Sequence, residues 1–418
     1  MSHTSGFLDA AFRKRLARSS LPPAVVIGTE VTGFTIARAL AKHNVPVLAV
    51  DSQRRRYTGY SSAFQLVLTR DYYGEAFVDF LVQLAQEIPC RATLFISKDE
   101  HVKLVGAAPQ LKSLYTYEYP QPSAVDLLMN KDAFVELAGV RGWEVPGTYS
   151  CASEADVRAA IPLLTFPVVL KPRTKNLAFR AHSPQKVFRC DTPEDLVRDY
   201  RLIAQWETDA IVQEWIPGGD DEIYFSFHYL DASLNEIASF EGKKIRQWLP
   251  LCGSTALAVG VAHPRVTELS RHILKETGCA GFGAVEYKRD ARTDRFVIME
   301  PTVGRVNLQI GVAVANGTDI ISRAYFHLIG QAYPGALPVT SNVKWVYGRS
   351  DFKSARYYMA RGELTWMGYL QSLRGRKHFA VWSHADASML AALARHILAL
   401  PFRILGRALR RATRAVQD

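Results

Sequence analysis

GFGAVEYKRDARTDRFVIMEP, residues Gly281 to Pro301, holds two strand-like runs either side of the polar stretch DARTD (Asp290–Asp294). A β-hairpin is the economical reading of such a pattern. With its turn centred near residue 293, Glu286 and Glu300 stand directly opposite one another on one face. Cross-strand partners lie ~5 Å apart between Cβ atoms, where like charges repel. Two ionised carboxylates tolerate that spacing when a hard dication sits between them, and Mg2+ with phosphate oxygens suits the chemistry. The alternative is a solvated hairpin in which Lys288 and Arg295 screen Glu286. Periodicity alone leaves both open.

Working outward, FPVVLKP (Phe166–Pro172) puts Lys171 at the end of a short apolar strand. VQEWIPGGDDEIYF (Val212–Phe225) sets Glu214 at another strand end, followed by a glycine turn and the acidic cluster Asp220, Asp221, Glu222. Nearer the N-terminus, AVVIG (Ala24–Gly28), PVLAVD (Pro46–Asp51), FQLVLT (Phe64–Thr69) and TLFIS (Thr93–Ser97) alternate with helical stretches. That alternation predicts a parallel, Rossmann-like sheet over residues 23–120, after a basic extension at 1–22. YEYPQPS (Tyr117–Ser123) punctuates the chain there. Beyond it come a helix carrying Lys131 and paired strands at Glu222–Leu230 and Ser233–Phe240, which predict an α+β unit. The turn GTEVTG (Gly28–Gly33) lacks GxGxxG, so a tight turn explains it better than dinucleotide binding does. RRRY (Arg54–Tyr57) reads as a solvated loop.

Four segments together, NKDAFVELAGVRGWEVPGTY (Asn130–Tyr149), FPVVLKP, VQEWIPGGDDE and VEYKRD…FVIMEP, resemble the ATP-grasp superfamily in its own order. Within it the likeness is to carboxylate–amine ligases such as bacterial D-aspartate ligase, over roughly residues 23–335. The resemblance implies a Rossmann-like pre-ATP-grasp domain at 23–120 and an ATP-grasp domain of two α+β subdomains at 121–335, with a smaller lid at about 155–212. Residues 336–418 follow as a basic, helical C-terminal extension. It also implies ATP and Mg2+, with Mn2+ as an alternative ion. Lys131 and Lys171 match the nucleotide-contacting lysines, Glu214, Trp215 and Ile216 the adenine hinge, and Glu222 the ribose carboxylate. Glu286 and Glu300 match the metal-bridging acids. Thr302 stands where the family has a metal-ligating Asn, and Arg305 falls one place late. The loop Arg173–Lys186 lacks the usual glycines. In FEGKKIRQWLPLCGS (Phe240–Ser254), Lys243, Lys244 and Arg246 match a K-x-R segment facing the triphosphate and the acyl phosphate, and Arg305, just past Glu300, suits either the acyl phosphate or the substrate carboxylate as a bidentate clamp. The ordinary alternative is a basic hairpin.

The implied activity is amide formation from a carboxylate and an amine through an acyl phosphate, releasing ADP and phosphate. Two rivals stay open: a non-catalytic nucleotide-binding protein of envelope or polysaccharide assembly, and a dinucleotide-dependent oxidoreductase. The net charge of +11 is concentrated at one end, since residues 340–418 hold 14 Lys+Arg against 4 Asp+Glu. The body is close to neutral, which argues against a nucleic-acid groove. Residues 388–418 alternate apolar clusters with arginines. They read either as an interfacial helix on an anionic membrane or as a helix docked on the body or a second subunit, a homodimer being one such arrangement. The expected partners are otherwise small molecules, one substrate being an envelope precursor if the tail meets membrane. Five scattered cysteines without CxxC read as reduced thiols, and the first twenty residues lack an apolar core. Both suit the cytoplasm, or the inner face of its membrane.

Overall fold

The computed structural model describes residues 6–173, 182, 187–335, 342–382, 386–392 and 394–395. Their strands form three sheets. The first is all parallel, in the order β3-β2-β1-β4-β5. It is built from β1 (Ala24–Ile27), β2 (Val47–Asp51), β3 (Gln65–Leu68), β4 (Ala92–Ile96) and β5 (Tyr115–Thr116). β1, β2 and β4 are buried along their whole length, which is why they read as unbroken apolar runs. Gly28 ends β1 at φ +96°, and a Cβ on Gly33 would lie 2.0 Å from the Gly28 carbonyl oxygen. The passage from β1 into the helix Val31–Ala41 therefore needs both glycines. The N-terminal extension forms a helix, Ala10–Arg18, capped by Asp9 and anchored by Phe12.

The second sheet has four strands, β6 (Thr148–Cys151), β7 (Val168–Pro172), β8 (Phe188–Cys190) and β9 (Ala210–Glu214), in the order β6-β9-β7-β8. It has its own core, which includes Val168, Leu170, Leu196 and Ile203.

The third sheet positions the carboxylates. It comprises β10 (Ile223–Leu230), β11 (Glu236–Trp248), β12 (Ser254–Gly260), β13 (Gly281–Asp290), β14 (Arg295–Val303), β15 (Lys344–Val346) and β16 (Lys377–Phe379). Their order is β14-β13-β10-β11-β12-β15-β16. Val285 and Tyr287 pack with the helix Pro264–Glu276 on one face. Phe225, Phe227 and Ala284 face a core shared with the helix Ile320–Leu328 and with Phe34 of the first domain. β11 runs to Trp248, past the end expected for the paired strand at Phe240, so Lys243 and Lys244 lie on a strand. β15 and β16 also take the sheet beyond the boundary expected at residue 335, with the helices Gly348–Ala360 and Trp366–Ser372 between them. Most of the loop 173–186 and residues 396–418 of the expected tail helix lie outside the described residues. No described helix is long and apolar enough to cross a membrane, and the five cysteines form no disulfide with one another.

Candidate functional site

β13 and β14 pair Asp290 with Arg295 at the turn and Tyr287 with Ile298 next. Continued unbroken, this register would set Glu286 against Met299. The register shifts there, and Glu286 pairs with Glu300, then Ala284 with Thr302. Met299 is thus the extra residue of a β-bulge, a device that re-aims side chains. Paired residues share a face and so do residues two apart, so Glu286, Glu300 and Thr302 project from the same side. Burial and the Glu286 charge push the Glu300 carboxyl above the usual range, against the pull of Lys131 and Arg305.

Glu300 and Thr302 line a cavity of about 270 Å³ along β14, with Asp99, Lys131, Lys171 and Gln213 also on its wall. Lys131 opens the helix Lys131–Arg141, whose N-cap Asn130 accepts from the N–H groups of Asp132 (3.0 Å) and Ala133 (3.3 Å). Lys171 is on β7, and its Nζ donates to Gln213 Oε1 on β9 at 2.9 Å. Two lysines therefore share a cavity with a carboxylate from a different sheet. Lys244 also belongs to this neighbourhood, since its buried ammonium donates to Glu286 Oε1 at 2.9 Å and to Gln247 Oε1 at 3.2 Å.

The expected hinge follows β9 and joins the second sheet to the third. Glu214 is held by Arg295 and by the Gly147 N–H. The Trp215 ring carries Lys288 Nζ at 4.9 Å and the Arg189 guanidinium at 5.1 Å from its centroid. Ile216 is buried. Glu222 accepts from Arg289 at 2.7 and 3.0 Å.

Of the expected residues Lys131, Lys171, Glu300 and Thr302 line the cavity, whereas Glu286, Lys244 and the hinge residues do not, and Lys243, Arg246 and Arg305 are turned to other partners. Lys243 lies over the Tyr224 ring at 5.9 Å, on the helix-covered face, because consecutive residues of a strand point opposite ways. Arg246 follows a register irregularity in β11 and turns to the C-terminal helices, where it bonds Asp351 Oδ1 and Ser372 Oγ, each at 2.7 Å. Arg305 is paired with Asp99, which lines the cavity, and its charge still reaches Glu300. Three residues beyond the expected set belong here instead. Asp99 and Gln213 line the cavity. Lys288, two places from Glu286 on the same face, is 4% exposed, and burial lowers its pKa despite Asp220 and Glu222 nearby. Strand alternation from Glu286 signalled Lys288. Asp99, on the first domain's helix Asp99–Gly106, left no local signal.

Among the described residues no three His, Cys, Asp or Glu side chains converge as a metal cluster. The donors a dication would find are two facing carboxylates, with the Thr302 hydroxyl beside them. An all-oxygen set completed by phosphate oxygens fits a hard ion such as Mg2+ or Mn2+.

No family model matches the chain. It is similar to a D-alanine–D-alanine ligase of Xylella fastidiosa, 27% identical over 161 residues, which are 36% of this chain and 48% of that protein. The match thus spans about half the length of that relative. Among solved structures, biotin carboxylase from Campylobacter jejuni superposes with a TM-score of 0.57 at 15% identity, covering 77% of this chain and 74% of the other. N5-carboxyaminoimidazole synthetase from Staphylococcus aureus gives 0.55 at 14%, covering 75% and 78%. Superposition over about three quarters of the chain shows that it shares the fold of these proteins, the ATP-grasp fold.

Proposed function

We propose that this chain is an ATP-dependent ligase that joins a carboxylate to an amine. The observation that carries the reading is the Glu286–Glu300 pair, with Glu300 lining one cavity together with Lys131 and Lys171. In support, the Campylobacter carboxylase was solved with beta-gamma-ATP and the staphylococcal synthetase with ADP.

In this reading Lys131 and Lys171 offset the negative charge of the nucleotide phosphates as point charges. Backbone groups of Trp215 and Ile216 meet the adenine, while Glu222, held by Arg289, takes the ribose hydroxyls. Glu286, Glu300 and Thr302 would hold Mg2+, which when bound neutralises charge on the phosphate oxygens. A substrate carboxylate oxygen attacks the γ-phosphorus and ADP leaves, giving an acyl phosphate. The amine nitrogen then attacks the acyl carbon, phosphate departs and the nitrogen loses a proton. Lys244 stabilises charge on the transferring group, a role that preorganised cations fill in phosphoryl transfer. Lys243 and Arg246 have no place in it, and Arg305 holds Asp99 on the cavity wall while its charge favours the ionised Glu300.

The test is an ADP-release screen over paired carboxylates and amines, lipid-linked envelope intermediates included, with Glu286→Gln and Glu300→Gln as controls. ADP release that needs both partners, and is lost in both variants, is the expected result. A chain that binds ATP yet turns over with no pair would sink the ligase reading in favour of nucleotide binding alone. Undiminished release by either variant would remove the metal assignment.

A further inference from the structure

The helix Trp366–Ser372 reads WMGYLQS, yet none of its residues is buried. Trp366 and Met367 are each 60% exposed, Leu370 is 58% and the neighbouring Phe352 is 43%. The rings form one patch, with Phe352 at 6.4 Å from both Trp366 and Tyr369, and Trp366 at 6.2 Å from Tyr369. A helix this apolar is normally covered on one side, and contiguous exposed apolar surface marks an interaction site.

The surrounding charge indicates what covers it. Residues 348–382 hold seven Lys and Arg against two acids. One of those acids, Asp351, is buried against Arg246, and the other, Glu363, is paired with Arg361. Lys353, Arg356, Arg374 and Arg376 are exposed, on the helix carrying Phe352 or just after the helix carrying Trp366. A second copy of this face would bring like charges together. The chain's own residues 396–418, with Arg403, Arg407, Arg410, Arg411 and Arg414, are basic too. An anionic lipid surface suits both features, since tryptophan and tyrosine sit at the headgroup level and basic residues are drawn to acidic lipids.

We propose that the patch of Phe352, Trp366, Met367 and Leu370, with its basic rim, docks the protein on anionic membrane lipid. The proposal is independent of the chemistry assigned to the cleft, and it rests on a folded surface rather than on residues 388–418.

The experiment is flotation of the full chain with vesicles of phosphatidylcholine alone or mixed with phosphatidylglycerol. Wild-type protein should float with the mixed vesicles only, and lose binding as salt is raised. Trp366→Ser with Leu370→Ser should lower vesicle partitioning about ten-fold or more, as should Arg374→Glu with Arg376→Glu. Both pairs are exposed, and unchanged circular dichroism and thermal melting would show that the fold is kept. A chain lacking residues 396–418 should still float. Undiminished flotation of the patch variants, or loss of flotation only in the shortened chain, would overturn the proposal. So would wild-type protein that ignores both vesicles, whether it elutes as a monomer or as a dimer that the patch variants disperse.

Discussion

Arg246 and Asp351 form an ion pair that is almost wholly out of water, 5% and 1% exposed at their side chains. Burial pushes the Asp351 carboxyl up, while Arg246 pulls it back down. Removing one partner of such a pair leaves a buried charge without compensation, at a cost of about 3–5 kcal/mol. Arg246→Met should therefore lower the urea midpoint strongly, and Arg246→Met with Asp351→Leu should restore most of it. Both variants should release ADP at the wild-type rate per folded molecule, because Arg246 points away from the cleft. At this scale the sequence shows a good deal. The fourteen-residue spacing of Glu286 and Glu300 brings them within one residue of facing one another, and the structure pairs them. The turn pairs Asp290 with Arg295, half a residue earlier than a centre at 293, and the bulge at Met299 makes up the difference. Residue spacing does not encode a bulge. Nor does it show that Lys243 and Lys244 part to opposite faces, since that depends on β11 continuing through the basic segment.

Two elements make sharp predictions. A methyl group on Gly33 meets the Gly28 carbonyl with no flexible side chain to give way. Overpacking of this kind typically costs about 1–3 kcal/mol, so Gly33→Ala should lower the denaturation midpoint accordingly. The second element is β16. Burial, with Arg38 and Lys42 nearby, lowers the pKa of its His378 from 6.5 to about 4. The unfolded chain then takes up a proton that the folded chain refuses. Stability is complete above the unfolded value and falls as the pH drops from 6.5 toward 4. Between pH 7 and pH 5 the loss from this one group is roughly 2 kcal/mol, and urea titrations of wild type against His378→Gln would show the variant losing less by that amount. The parallel strands of the first domain are legible as apolar runs alternating with helical stretches. β15 and β16 are not, because three-residue strands that complete a sheet from far along the chain carry no pattern of their own.

Across the whole molecule the cores divide unevenly. The first sheet and the third share one apolar cluster, from Ala24 and Phe34 to Phe227 and Trp345, whereas the second sheet packs on a cluster of its own. Cooperative units follow such clusters. Hydrogen exchange should show the amides of β6, β7, β8 and β9 opening at lower free energy than those of β1, β10 and β13, which should open together. Equal protection throughout would contradict this. The change from parallel to paired antiparallel strands is readable in the sequence, but the shared cluster is not, since it joins residues some three hundred positions apart.

The pairing of β12 with β15 has a practical consequence for anyone trimming the gene. A product ending near residue 335 would leave the backbone edge of β12 uncovered, a template for intermolecular strand addition. It would also strand the Arg246 guanidinium without its counter-ion. Such a shortened protein should precipitate rather than behave as a minimal folded unit.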